Sequence, residues 1–391
     1  MRSSSDSAPY HLSHKLLDNS VVCLMAPTAS GKTALAYELY DTGRYELISV
    51  DSALIYREMD IGTAKPSNDE LERYPHHLVN IIDPTQRYSV AEFVQDVARL
   101  IDSCHQKGKI PLLVGGTMMY YMALLDGLSP VPDSDDSVRV QVEQWRQEKG
   151  ISALYDYLNE VDPISHQRLD MSDTQRITRA VEVYLQTAIP LSDWQRQPKK
   201  ALAHHPDQQW HALAVMPERA WLHERIAQRL DIMWAEGLVS EVIQLLERYP
   251  LSPNLPSMRC VGYRQVLEYL VQIDHPIFEQ PHLDKSQFYE AFGKFDNNDN
   301  NDDETHSQNK EVVSAQKALL MSNSSSESIA YQQMKDKSLY ATRQLAKRQY
   351  TWLRKLTQLQ TLDIDLVGSN QHPKIVIPSL TTMAQAGEYL R

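Results

Sequence analysis

Residues 26–33 have the composition and spacing of a phosphate-binding loop. They are Ala26, Pro27, Thr28, Ala29, Ser30, Gly31, Lys32 and Thr33. An apolar run that predicts a buried strand precedes them, and residues typical of a helix follow. In this context a loop of small residues turns its backbone N–H groups toward phosphate oxygens. The lysine would neutralise the phosphates, and the threonine hydroxyl could ligate Mg²⁺.

One position departs from the usual pattern, because Ala26 stands where the first glycine is expected. Alanine is small enough for close packing but tolerates a positive φ poorly. The alternative interpretation is an ordinary strand–turn–helix that carries Gly-Lys-Thr by chance. The strand and the helix on either side favour the phosphate-binding loop.

Two further predicted strands end in polar residues. Asp51 follows the strand at 45–50, and Gly115-Gly116-Thr117 follows the strand at 110–114. Strands that alternate with helices predict a parallel sheet, with its active-site loops at the carboxyl ends of the strands. We therefore expect Asp51, Thr117 and the phosphate-binding loop at one edge. From sequence alone, Asp51 suits a general base, a Mg²⁺ ligand and a helix cap about equally.

The elements that position these residues can be followed along the chain. We expect further strands at 77–82 and 209–216, and a helix from the Ser89–Glu92 capping box to Gln106. A short helix and a loop should follow Asp51. A long helix should cover 219–247, mildly broken at Gly237.

The expected organisation has six segments, two of which form one core. They are a disordered leader at 1–19, an α/β core at 20–127 and 209–282, a helical insertion at 128–208, a disordered acidic insertion at 283–332, and a basic helix and tail at 333–391.

Composition limits the class of protein. The chain has 391 residues, 42% of them apolar, and a formal net charge of −12. Nothing in that charge suggests nucleic-acid binding by the whole surface. The three scattered cysteines indicate a reducing compartment rather than a disulfide framework or a zinc site. We expect no signal peptide in the N-terminal residues, which are rich in Ser and His, and no membrane-spanning stretch. We expect a cytoplasmic α/β enzyme.

Basic residues are nevertheless gathered in three clusters. Residues 335–355 carry seven cations and one acid, and Lys347, Thr351 and Arg354 fall on one helix face. The other clusters lie at 175–179 and 259–264. Each alone is more often a solvated or salt-bridged surface. Together they make a nucleic-acid surface comparably plausible, with arginines for phosphates and aromatic rings for bases.

These motifs resemble the tRNA dimethylallyltransferase (isopentenyltransferase) family. The resemblance rests on residues 26–33, 48–56, 59–66, 113–117, 175–179, 259–264 and 341–354, and covers about 21–355. The chain departs from the family pattern at Ala26 and at the 283–332 insertion. The resemblance implies an α/β fold whose P-loop NTPase-like parallel sheet carries a helical insertion domain and a helical C-terminal region.

The implied reaction moves the dimethylallyl group of dimethylallyl diphosphate to N6 of the adenosine 3′-adjacent to the anticodon (position 37). The implied tRNAs read codons that begin with U. Mg²⁺ is the implied cofactor, and the partners are dimethylallyl diphosphate and the tRNA anticodon stem-loop. The insertion at 128–208 would grip that stem-loop. We expect no membrane partner and a monomer.

The resemblance also implies site residues. Asp51 would be the general base, Lys32 and Thr33 would serve the diphosphate and its metal, and Arg225 would be a further diphosphate contact. An ordinary helix-surface role for Arg225 stays open. Residues 26–33 would bind the donor. The implied tRNA contacts are Asp51, Ser52, Ala53, Leu54, Thr117, Arg139, Gln175, Arg176, Ile177, Thr178, Arg179, Arg259, Cys260, Val261, Gly262, Tyr263, Arg264, Lys347, Arg348, Gln349, Tyr350, Thr351, Trp352, Leu353 and Arg354.

Two other functions fit parts of the chain. A P-loop small-molecule kinase would use ATP and suits the loop and Asp51, but it leaves the basic clusters without a role. A non-catalytic RNA-binding protein with a structural nucleotide site leaves Asp51 and Gly115-Gly116-Thr117 unexplained. Neither alternative predicts a response to dimethylallyl diphosphate.

Overall fold

The structure is a computed structural model that describes residues 16–293, 323–358, 375 and 377–390. Within these residues one parallel sheet has the strand order β3-β2-β4-β1-β5-β6. The strands are β1 (Ser20–Met25), β2 (Tyr45–Val50), β3 (His76–His77), β4 (Ile110–Gly115), β5 (Gln209–Val215) and β6 (Ser379–Leu380). The predicted α/β fold with a parallel sheet is confirmed.

Helices connect these strands and extend the chain beyond them. They are α1 (Lys32–Asp41), α2 (Asn68–Arg73), α3 (Val90–Gln106), α4 (Met118–Leu125), α5 (Asp136–Val161), α6 (Pro163–Arg168), α7 (Thr174–Thr187), α8 (Leu191–Arg196), α9 (Arg219–Glu236), α10 (Leu238–Arg248), α11 (Tyr263–Gln272), α12 (Lys285–Phe292), α13 (Asn323–Gln358) and α14 (Met383–Leu390). None of the helices in the described part of the chain combines the length and apolar character needed to cross a bilayer.

The chain forms two compact units. The larger unit runs to Tyr121 and resumes at Asp207, and the smaller unit is Met122–Pro206. In the larger unit, β1 lies between β4 and β5, with Val22 paired to Leu112 and to His211. Every residue of β1 and β4 is buried, as central parallel strands covered on both faces require.

Local signals account for several element boundaries. The Ser89 hydroxyl accepts from the Glu92 N–H at 3.1 Å, and the Glu92 carboxylate accepts from the Ser89 N–H at 2.6 Å. This confirms the predicted capping box at the start of α3. Gly237, with φ of 96°, separates α9 from α10. The predicted break therefore ends one helix and starts another.

Two predicted elements are wrong. The strand expected at 77–82 is limited to His76–His77, because Leu78 and Asn80 have φ of 63° and 57°, which no strand accommodates. Turns rather than a short helix follow Asp51.

The expected boundaries of disorder also need correction. Leu16, placed in the leader, packs in the core beside β1. Helix α12 and the start of α13 lie inside the segment 283–332, and both Phe288 and Ala330 are buried. The prediction of disorder rested on the acidic and polar composition of the whole segment and overlooked the apolar residues at its two ends. Residues 1–15 and 294–322 lie outside the described residues.

The smaller unit is helical and has its own core. Val142, Leu154 and Ile177 belong to that core, which joins α5 to α7. Gly150, with φ of 79°, interrupts α5. The buried Asp162 carboxylate accepts N–H bonds from Ser165 and Ser192, both at 3.0 Å, and so ties α6 to α8. The boundaries of this unit nearly match those of the predicted insertion at 128–208. Its binding of a tRNA stays a prediction.

Candidate active site

The phosphate-binding loop connects β1 to α1. Positive φ angles occur at Ala29 (61°) and Gly31 (89°) and not at Ala26. The alanine that replaces the first glycine is therefore free of the backbone strain that alanine would suffer at positive φ. Helix α1 begins at Lys32, so its unpaired N–H groups and partial positive charge lie at this loop.

Lys32 lies within this loop, with Nζ 3.4 Å from the carbonyl oxygen of Pro27. Burial lowers the pKa of Lys32 to about 8, with Asp51 opposing the shift and Arg229 adding to it. Removal from water disfavours the charged ammonium, and an anion bound beside it would restore the charge. The site is therefore prepared for an anion such as a diphosphate.

The loops after β2 and β4 carry the acidic group of the site, Asp51, and its neighbours. The Asp51 carboxylate accepts from the Ala53 N–H at 2.9 Å, which fixes its direction. The Ser52 N–H donates to the Thr117 hydroxyl at 3.0 Å. A Cβ at Gly115 would lie 2.0 Å from the Val50 carbonyl oxygen, so only glycine allows this approach of β4 to β2. The predicted meeting of these loops at one edge is confirmed.

These groups line a cavity of about 500 Å³ in the larger unit. Its polar wall includes Thr28, Lys32, Asp51 and Thr117, and Ser52 and Ala53 also contribute. Its apolar wall is formed by Ile55, Tyr56, Ile226, Leu230, Met233 and Val261. The cavity therefore places anion-binding groups, a carboxylate and a hydrocarbon surface within one space. Leu54 and Thr33 are not among its lining residues, and Thr33 is exposed.

Two arginines of α9 reach the phosphate-binding loop. Arg225 Nε donates to the Ala29 carbonyl at 3.0 Å, and its guanidinium lies 5.0 Å from the centre of the Trp221 ring. Arg225 is exposed and does not line the cavity. Arg229 does line it, with Nη1 3.4 Å from the Thr28 hydroxyl. The sequence reasoning missed Arg229, although its position one turn after Arg225 could have indicated it.

Electrostatics also distinguish Arg229. Burial lowers the pKa of Arg229, Asp51 opposes that shift, and Arg225 reinforces it. A guanidinium keeps its charge at any ordinary pH, so Arg229 is a permanent cation facing the same space as Lys32.

A turn-rich loop at 56–66 closes one side of the cavity. Lys65 Nζ donates to the Tyr56 carbonyl and to Asn80 Oδ1, both at 2.6 Å. The Glu241 carboxylate accepts N–H bonds from Ile61 at 2.6 Å and Gly62 at 3.1 Å. No residue of this loop was predicted to belong to the site, and its hydrogen bonds hold it as one wall of the cavity.

The cluster at 259–264 divides between the cavity and the core. Arg259, Cys260, Val261 and Gly262 line the cavity. Tyr263 is 0% exposed and donates its hydroxyl to Glu241 at 2.5 Å, so the expected stacking on a base is wrong. Arg264 lies on the surface and pairs with Glu268 at 3.2 Å. Burial, reinforced by Asp51, raises the pKa of Cys260 to about 12, so its thiol stays protonated.

Helix α13 presents three different faces. Lys347, Thr351 and Arg354 are exposed, as predicted for one shared face. Arg348 and Trp352 line the cavity. The other residues of this helix that were predicted to contact RNA are buried. Tyr350, whose hydroxyl donates to the Pro217 carbonyl, and Leu353 are buried in the core, which contradicts a direct role for them. Gln349 is 8% exposed and also lines the cavity, so its role as an RNA contact stays a prediction.

Comparison with known proteins decides the family. A model of the IPP transferase family matches residues 54–356. The tRNA dimethylallyltransferase of Psychrobacter cryohalolentis is 69% identical over 409 residues, covering 100% of this chain and 98% of that protein. The tRNA dimethylallyltransferase of Acinetobacter baumannii is 46% identical, covering 87% of this chain and 91% of that protein. The chain belongs to this transferase family.

Solved structures agree with the fold. The full-length tRNA isopentenylpyrophosphate transferase of Bacillus halodurans is 26% identical, with a TM-score of 0.50, covering 93% of this chain and 90% of its own. A eukaryotic dimethylallyltransferase crystallised acting on tRNA is 20% identical, with a TM-score of 0.60, covering 94% of this chain and 75% of its own. Membership in the IPP transferase family favours prenyl transfer over the kinase and the non-catalytic alternatives.

The remaining predicted RNA contacts lie in the smaller unit of this dimethylallyltransferase-family chain. Arg139 pairs with Asp136 at 2.8 Å, and Arg176 pairs with Asp173 at 2.9 Å. Arg179 donates to the Pro132 carbonyl at 2.6 Å. Gln175 is exposed, and the Thr178 hydroxyl donates to the carbonyl of Thr174 at 2.9 Å. Ile177 is 0% exposed in the core, so its assignment as an RNA contact is wrong.

Proposed function

We propose that the chain transfers the dimethylallyl group from dimethylallyl diphosphate to N6 of the adenosine 3′-adjacent to the anticodon, releasing diphosphate. The single observation that carries the proposal is the cavity, where Lys32 and Arg229 share one space with Asp51 and an apolar wall. A donor with a diphosphate head and a hydrocarbon tail matches that arrangement. We further propose that the acceptors are tRNAs reading codons that begin with U, and that the chain acts as a cytoplasmic monomer.

The donor would bind with its charged end on the phosphate-binding loop. Backbone N–H groups at the start of α1, together with Lys32 and Arg229, would hold the diphosphate oxygens. The five-carbon tail would lie against Leu230 and Val261. This orientation directs the C1–O bond toward the carboxylate side of the cavity.

The chemistry is a substitution at C1 of the donor. The N6 lone pair of adenine forms a bond to C1 while the C1–O bond breaks, and the electron pair leaves with the diphosphate. Lys32 and Arg229 would stabilise the charge that grows on the leaving group. Asp51 would accept the N6 proton, a contribution of roughly 10²–10⁴ in rate for a positioned base.

Mg²⁺ fits the donor set of this loop. The Thr33 hydroxyl is exposed, and the buried Ser30 hydroxyl lacks a hydrogen-bond partner within the described residues. Those residues contain no cluster of three His, Cys, Asp or Glu side chains able to hold a metal. Mg²⁺ is typically held by one or two protein ligands, here a hydroxyl, together with phosphate oxygens of the substrate and water. When bound, the ion would supply positive charge to the leaving diphosphate.

The acceptor RNA would be held by exposed cations. Lys347, Arg354 and neighbouring polar groups of α13 offer phosphate contacts along one face. The adenine must leave the anticodon-loop stack to reach Asp51, which is a base-flipping step. An acidic chain can bind RNA in this way because its cations are gathered locally.

The test uses labelled dimethylallyl diphosphate, Mg²⁺ and unmodified tRNA with the full chain. Label should enter the tRNA, and Asp51→Asn should lose about a hundredfold or more in turnover. Asp231→Asn is the matched control, because Asp231 is exposed on α9. Absence of label together with phosphoryl transfer from ATP would reject prenyl transfer and favour the kinase.

A further inference from the structure

Gln349 differs from the two residues that precede it on α13. It is 8% exposed, whereas Lys347 and Arg348 are exposed. Both ends of its amide are engaged by backbone. Oε1 accepts from the Thr28 N–H at 3.0 Å, and Nε2 donates to the Gly116 carbonyl at 2.9 Å. Each end of the amide thus makes one of the two hydrogen bonds that it can make.

The two backbone groups belong to the loops that follow two paired strands, β1 and β4. Thr28 lies in the phosphate-binding loop after β1, and Gly116 lies in the loop after β4 that leads to Thr117. A Cβ at residue 116 would lie 2.5 Å from Gln349 Nε2, so glycine leaves the space that the amide fills. One side chain from the C-terminal helix therefore joins the two loops.

We infer that Gln349 is a positioning residue that sets the donor-binding loop against the acceptor edge of the cavity. The inference rests on the proposed function and deepens it. The role requires an acceptor and a donor on one planar group, and a glutamine side chain supplies both. Without the amide, the buried Gly116 carbonyl and the partly buried Thr28 N–H each lose a partner, and the loop loses one of its ties to the edge that carries Asp51.

The same helix also carries the cations that the proposed function assigns to RNA binding. Arg348 and Trp352 line the cavity beside Gln349, while Lys347 and Arg354 point to solvent. The charged groups that face this cavity with Gln349 are Lys32 and Asp51 from the strand-end loops, Arg229 from α9, Arg259 from the segment before α11, and Arg348 from α13 itself. Gln349 thus links the helix that carries the RNA-facing cations to the loop that holds the donor.

The first variant is Gln349→Met, which keeps the length of the side chain and removes both bonds. We expect the KM for dimethylallyl diphosphate and the Kd for inorganic diphosphate with Mg²⁺ to rise about tenfold, as for two lost bonds at an anion site. The Kd for tRNA should stay within about twofold of the unaltered protein, since no RNA contact is removed. Gln332→Met is the matched control, because Gln332 is exposed on the same helix and bonds Asp336 at 3.0 Å.

The second variant is Gln349→Glu, which separates positioning from a general packing role. An ionised carboxylate can still accept from the Thr28 N–H but repels the Gly116 carbonyl, whereas the neutral acid can accept and donate as the amide does. Relative to the unaltered protein in the same buffers, kcat/KM for the donor should therefore recover as the pH falls. The ratio to the unaltered protein removes the titration of Lys32 and of the ligand.

The outcomes separate cleanly. An unchanged diphosphate Kd in Gln349→Met would overturn the inference. A weakened tRNA Kd with donor binding intact would overturn it and make Gln349 an RNA contact. The ratio of kcat/KM between Gln349→Glu and the unaltered protein should change with pH, and a ratio independent of pH would also overturn the inference. This measurement tests the inference even if Gln349→Met unfolds below the assay temperature. Diphosphate binding is measured without turnover, so it does not depend on the proposed reaction. If the proposed prenyl transfer is wrong, no label will enter the tRNA, but Gln349→Met will still raise the Kd for diphosphate.

Discussion

The Arg229 guanidinium lies 3.4 Å from the Thr28 hydroxyl, although the two residues come from distant parts of the chain. This contact brings a permanent cation of α9 to the phosphate-binding loop. Arg225, one turn earlier, bonds the Ala29 carbonyl with Nε and covers the Trp221 ring instead. The two arginines therefore have different roles, one toward the ligand and one toward the loop backbone.

Replacing each arginine by methionine should separate those roles. Arg229→Met should weaken diphosphate binding by roughly tenfold to a hundredfold, the range for losing a charge-assisted bond. Arg225→Met should have a smaller effect on the same Kd, because its guanidinium lies outside the cavity. Isothermal titration with inorganic diphosphate and Mg²⁺ measures both. A larger loss for Arg225→Met would mean that the exposed arginine is the diphosphate ligand.

Lys32 should make donor binding sensitive to alkaline pH. Its pKa is lowered to about 8 by burial, so the ammonium that attracts the diphosphate is lost as the pH rises through that value. Between about pH 7 and about pH 9 the charged fraction of the free protein falls about tenfold, and the diphosphate Kd should rise accordingly.

The matched control for this prediction is Lys32→Arg, because a guanidinium stays charged throughout the range. Measuring both proteins in the same buffers cancels the titration of the diphosphate itself. A ratio of the two dissociation constants that does not change with pH would contradict a titrating Lys32.

Tyr263 should matter for stability and not for RNA. Its hydroxyl donates to the Glu241 carboxylate, which also accepts from the backbone of the 56–66 loop. Tyr263→Phe should lower the free energy of unfolding by about 1–3 kcal/mol, since a bond to a charged group is lost in the core. Urea unfolding measures the change. A tRNA Kd that weakens much more than the stability change explains would instead support the stacking role that burial contradicts.

The exposed face of α13 should carry part of the RNA affinity. Lys347→Ala with Arg354→Ala should weaken tRNA binding and lower the salt slope of log K by about one to two, as for one or two lost phosphate contacts. Arg99→Ala is the control, because Arg99 is a highly exposed cation on α3 that pairs with Asp96. Filter binding over a range of salt concentrations gives both slopes. If the double variant and the Arg99→Ala control have equal salt slopes, the RNA does not bind to the exposed face of α13.

Short stretches of sequence were enough to predict the local chemistry of this protein. The order of residues in 26–33, the Ser89–Glu92 capping box and the apolar run of β1 are short-range signals, since each depends on neighbours within a few positions. The parallel sheet and the shared edge of Asp51 and Thr117 also followed, because alternating strands and helices leave few arrangements.

Which members of a motif face the site depends on how the helices and loops pack. Tyr263, Ile177 and Gln349 belong to sequence patterns that suggested RNA contacts, yet packing buries all three. Arg229 had no motif of its own and was placed at Thr28 by the docking of α9. Burial and direction depend on contacts between residues far apart in the chain, and a linear pattern does not encode these distances.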